Sequence, residues 1–199
     1  MPVLLALSGL IDRINTVIGK TAMWLVLVTT FISAGNAIVR KAFDMSSNAL
    51  LEVQWYLFAG VFMLAAGYAL LQNAHVRIDF IASRLSPRTR NWIDVIGILV
   101  VLAPFCLISI YLSWPLFVNA LNSGEMSNNA GGLIRWPVYL LVPVGFGLLL
   151  LQGISELIKR IAFLRGAGPD TLATHETEEE KLARELAGQA EPRAAAESK

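Results

Sequence analysis

Residues 50–81 read LLEVQWYLFAGVFMLAAGYALLQNAHVRIDFI, and the reading of this stretch decides the fold. No charged side chain lies between Glu52 and His75. A helix needs about 20 mainly apolar residues to cross the ~30 Å hydrocarbon core of a bilayer, and this segment supplies them. Glu52, Gln54, Trp55 and Tyr56 stand at one end; His75, Arg77 and Asp79 stand at the other. Aromatic residues collect at headgroup level and cations on the cytoplasmic side, so the stretch predicts both a span and its direction.

Outward from it, the composition agrees. The 199 residues are 55% hydrophobic and 16% charged, with a mean hydropathy of +0.58. A soluble domain would carry about 25% charged residues. The net charge of +1 hides a segregation: from Asp170 onward eight acidic residues face four basic ones, a net −4. The single cysteine, Cys106, lies in an apolar run, where a buried inert thiol is expected. These features predict an all-α polytopic membrane protein with an acidic tail.

Four apolar runs are expected to form spans at about 21–39, 53–72, 92–114 and 136–158, within a membrane domain of residues 20–163. Ahead of them, residues 1–19 place Val3, Leu4, Leu7, Leu10, Ile11, Ile14 and Ile18 on one helical face, with Ser8, Asp12, Arg13 and Asn15 on the other. This is either an amphipathic helix lying on the membrane surface or an extension of the first span. A cleaved signal peptide is not expected, because the charged leader and the following apolar run are both too long. Ser33, Asn36 and Arg40 share one face of the first span. Arg40 and Glu52 stand at one membrane level, either as a pair or as separate headgroup-level charges. In the second span, Ala59-Gly60 recurs as Ala66-Gly67 seven residues later, a small-residue face for close helix approach. Pro104 is expected to kink the third span and free a carbonyl. An Asn-, Ser- and Gly-rich loop is expected over 115–135, and residues 164–199 are expected to form a disordered cytoplasmic tail.

Orientation follows from cations near the span ends. Nine lie on one side (Arg13, Lys20, Arg77, Arg84, Arg88, Arg90, Lys159, Arg160 and Arg165) against Arg40, Lys41 and Arg135 on the other. Both termini and the second connection are therefore expected in the cytoplasm.

The inventory of reactive groups excludes several functions. Neither histidine, His75 or His175, lies in a span, so paired haem ligands are missing. No Cys-His-carboxylate cluster suggests a metal, and no Gly-rich loop precedes a lysine to hold a nucleotide. Glu52 and Glu156 lie close to the span ends, whereas a proton-coupled exporter needs a carboxylate deep in a span. No catalytic residue, cofactor, metal or nucleic-acid partner is expected. An auxiliary membrane subunit is favoured over a self-contained pump or enzyme.

EVQWYLF (52–58), AAGYAL (65–70) and HVRID (75–79), with Asn36 and Arg40 before them, resemble the small permease subunit of tripartite ATP-independent periplasmic (TRAP) transporters. AGGLIRWP (130–137) and LLQGISELIKR (150–160) resemble one branch of that family, and the likeness covers about residues 16–165. It departs at Gln54: many members carry Trp followed by two acidic residues there, so a second acid is missing. The resemblance implies a four-span subunit of the bacterial inner membrane that scaffolds a large multi-span permease subunit. It also implies symport of an organic acid, delivered by a periplasmic solute-binding protein and driven by a cation gradient.

Under that resemblance, His75, Arg77 and Asp79 form either a polar knot against the large subunit or an ordinary cationic loop on lipid headgroups. The Gly60 and Gly67 face serves either the large subunit or packing among the four helices. Glu125 and Arg135 either touch the docked binding protein or belong to a plain connection. Asn36, Arg40, Glu52, Gln54 and Trp55 complete the candidate structural or interface set. Two other functions fit the residues: a self-contained four-helix transporter or channel, and a membrane anchor of a redox complex.

Overall fold

The computed structural model describes residues 1–44, 47–73 and 85–170. Among them, four helices are long and apolar enough to cross a membrane: α1 (Pro2–Phe43), α2 (Asn48–Leu71), α3 (Pro87–Ser123) and α4 (Trp136–Leu164).

α1 runs unbroken for 42 residues, with Pro2 in its first turn, where a missing N–H is harmless. At 1.5 Å per residue it is about 63 Å long, twice the hydrocarbon thickness. Residues 1–19 are thus continuous with the first span. Arg40 and Lys41 lie in the last turn, where the helix dipole favours cations, and Asp44 ends the helix in the left-handed conformation.

α3 overruns its expected bounds at both ends. Its middle widens into a π-helical turn over Ile98–Leu102, closed by an Ala103 N–H to Ile98 carbonyl bond. Pro104 follows at once. An α-helical proline loses its own hydrogen bond and presses on the carbonyl four residues back, here Val100, and a π turn is one way to make that room. The helix then continues through Pro115, where a loop was expected, and ends only at Ser123. Gly124, at φ 62°, is the reason: glycine adopts this left-handed stop without a Cβ clash.

α4 is the hub. It packs against α1, α2 and α3, while α1 runs along α2, and α3 finds its main partner in α4. Close approach rests on small residues. A Cβ on Gly145 would come within 2.7 Å of the Met63 carbonyl oxygen, and one on Gly67 would collide with Asn15. Gly60 has ordinary space, 3.5 Å from Leu25. After α4, Gly166 turns the chain and Asp170 accepts a 3.1 Å hydrogen bond from Asn91, fastening the helix end to the start of α3. His75, Arg77, Asp79 and the acidic stretch from residue 171 lie outside the described residues.

Candidate functional site

Polar side chains gather at both ends of the helical domain. At the end that carries Asp12, α4 presents Gln152, Ser155, Glu156, Lys159 and Arg160, spaced so that all share one helical face. α1 presents Ser8, Asp12 and Asn15 by the same rule. The two stripes meet. Ser8 Oγ lies 2.7 Å from Ser155 Oγ, and Asn15 Nδ2 donates to Gln152 Oε1 at 3.0 Å. Asp12 Oδ1 accepts from Gln152 Nε2 at 2.9 Å and from Ser155 Oγ at 2.7 Å.

Opposite charges pair around that core. Lys159 Nζ bridges Asp12 Oδ2 at 2.9 Å and Glu156 Oε1 at 2.6 Å. Arg160 reaches Glu156 Oε2 at 2.9 Å and Asp94 Oδ2 of α3 at 3.3 Å. Glu156 and Arg160 are almost wholly buried, and such charges are tolerated only when paired and hydrogen-bonded. Three helices are therefore tied by one ionic network. Among the described residues, no group of three His, Cys, Asp or Glu is placed to hold a metal ion.

This network gives the α1 polar stripe partners on α4. A surface helix would show Ser8, Asp12 and Asn15 to water; here Ser8 and Asn15 are buried and Val3, Leu7, Leu10 and Ile14 are exposed. Membrane helices turn polar groups toward protein because lipid cannot hydrogen-bond them. Glu156, near the end of its span in the sequence, is likewise buried between helices. The signal was present in the sequence as two matching polar stripes, but it acquires meaning only once α1 and α4 are known to be neighbours.

At the opposite end, residues 124–135 form a short hairpin. Met126 and Ile134 make a β-bridge, Ser127 N–H donates to the Leu133 carbonyl and Arg135 N–H to the Glu125 carbonyl, both at 2.9 Å. Glu125 and Arg135 pair at 2.8 Å. The Glu125 carboxylate first, and the Tyr139 hydroxyl second, hold the Arg135 guanidinium protonated beyond its usual range. The hairpin is clamped onto α2 through Glu52. One Glu52 oxygen accepts from the Ser127 hydroxyl and, at 2.8 Å, from Asn129 Nδ2; the other accepts the Leu133 N–H at 2.7 Å. Tyr56 donates to the Ile134 carbonyl at 3.1 Å and Asn48 to the Ala130 carbonyl at 3.0 Å.

The Arg40–Glu52 pair does not form: the hairpin takes Glu52, and Arg40 is exposed. Gln54 accepts a 2.7 Å hydrogen bond from Ser33, so the position without a second acid joins α2 to α1 through a neutral contact. Asn36 is buried on α1. Trp55 is 66% exposed. Gly60 and Gly67 lie inside the chain, between α1 and α4.

Residues 25–163 match the family model described as tripartite ATP-independent periplasmic transporters, DctQ component. Among curated proteins, the chain is similar to a C4-dicarboxylate TRAP transporter small permease protein, DctQ, of Pseudomonas aeruginosa. The two are 27% identical over 143 residues, which cover 70% of this chain and 65% of that protein. The chain thus spans just under two thirds of the length of this relative. No solved structure matches it.

Proposed function

The chain belongs to the DctQ component family of TRAP transporters, and from that premise we propose that it braces a large multi-span permease subunit during cation-gradient-driven uptake. Membership makes it the small membrane subunit of such a transporter, a multi-pass inner-membrane protein and not an enzyme. In this reading a periplasmic binding protein delivers the solute to the assembled membrane subunits. The solute is an organic acid, in keeping with the dicarboxylate in the relative's name. Both termini face the cytoplasm, as the cation distribution asks, and the hairpin of residues 124–135 faces outward.

One observation supports the bracing role above the rest. The charges of Asp12, Asp94, Glu156, Lys159 and Arg160 are engaged in holding helices together, and the outward faces are apolar. Such a chain offers a stiff, lipid-compatible wall against which another subunit can move. Affinity purification of the full chain from native membranes should bring a large multi-span protein with it, and uptake in vesicles should need both. Solute uptake by the purified chain alone would refute the reading.

A further inference from the structure

Trp55 belongs to two features at once. It lines a cleft of about 160 Å³ at the hairpin end, together with Glu52, Tyr56, Arg135 and Tyr139. It also heads an aromatic ridge on α2: Trp55, Phe58 and Phe62 recur at three and four residues, so they share a face. Phe58 and Phe62 are 59% and 67% exposed, with ring centroids 5.1 Å apart. The cleft has room for about five waters at ~30 Å³ each, and sites for drug-sized ligands begin near ~300 Å³. That is space for a headgroup, opening onto an apolar track.

Charge narrows the occupant. Arg135 commits Nη1 to Glu125 and, with five N–H donors, has others to offer a phosphate. Glu125 commits Oε1 to that pair, and Glu52 lies in the cleft wall. Two carboxylates against one guanidinium leave the surroundings at −1, which disfavours an anionic headgroup. A zwitterion with an N–H-bearing ammonium satisfies both signs; a choline, which has no N–H, does not.

We propose that the cleft and ridge bind one phospholipid of the phosphatidylethanolamine class. Its phosphate meets Arg135, its ammonium faces Glu52, and one acyl chain lies along Trp55, Phe58 and Phe62. Indole and phenol groups at the same level suit the membrane boundary.

The test uses the full chain purified in its native complex and exchanged into equal phosphatidylethanolamine, phosphatidylglycerol and phosphatidylcholine, with retained lipid counted by mass spectrometry. Phosphatidylethanolamine should be held in preference to both others. Arg135→Gln should lower that retention about tenfold, the loss of one charge-assisted contact. Should Arg135→Gln fail to fold, Phe62→Ala, on the exposed ridge, should lower retention with an unchanged melting profile. Equal retention of the three lipids, or retention unaffected by either folded variant, overturns the proposal. So does a crosslink from Trp55→Cys to another protein of the complex in place of lipid.

Discussion

At the Asp12 end, three carboxylates and two cations from three helices pair with one another, whereas at the hairpin end one carboxylate, Glu52, is met mainly by uncharged donors from a loop. The partners in the first case lie far apart in the chain: Asp12 contacts Gln152, Ser155 and Lys159. In the second, Glu52 organises a single short segment. Removing a member of the ionic network takes a partner from charges held between helices, while removing Glu52 takes the acceptor that holds the hairpin. The difference separates interactions that assemble the domain from one that orders a surface feature.

The largest expected effect tests the assembling role. Glu156→Ala leaves Arg160 and Lys159 with one carboxylate partner fewer, and breaking a buried pair in this way costs about 3–5 kcal/mol. Thermal unfolding in detergent should show it, and a melting profile like the parent's would show that the network does not hold the helices. Next comes Gly67→Ala, which pushes Asn15 out of place in the same region and should cost about 1–3 kcal/mol. Gly60→Ala, with ordinary space, should be neutral or slightly stabilising, since alanine favours a helix over glycine by up to ~1 kcal/mol. Equal losses at the two glycines would erase the contrast between tight and ordinary contacts along α2.

A double-mutant cycle of Ser8→Ala and Ser155→Ala should give a coupling of about 0.6 kcal/mol, the usual worth of a hydrogen bond between membrane helices. Glu52→Gln should leave the melting of the helices close to that of the parent while the amides of Ser127 and Leu133 exchange faster by mass spectrometry. Global unfolding of this variant would mean that the hairpin clamp, too, assembles the domain. Arg40→Ala stands last, within about 0.5 kcal/mol of the parent, as expected of an exposed side chain without a buried role.

Much of this molecule is legible along the chain, because a membrane span announces itself locally. Runs of apolar residues near Thr21, Val53, Trp92 and Trp136 each mark a helix, and each helix is present. Their ends were harder to read. Pro115 looks like a stop, yet a proline inside a membrane helix forfeits one hydrogen bond without ending it, and the true stop is Gly124. The polar positions were harder still. Glu52 was visible as a lone acid, but its donors come from Ser127, Asn129 and the Leu133 backbone, more than 70 residues on. Arg40 was nearer in sequence and chemically better matched, which is why local reasoning selects it.

By itself the sequence determined the class of protein, the four spans and the family, since burial of apolar length in lipid and the motifs of residues 52–79 need no knowledge of neighbours. Only the tertiary structure decided which polar side chains face inward. A helical stripe such as Ser8, Asp12 and Asn15 is compatible with water or with a matching stripe, and the choice depends on whether another helix satisfies its hydrogen bonds. α4 does so with Gln152, Ser155 and Lys159, and that pairing turns the stripe toward the helical domain.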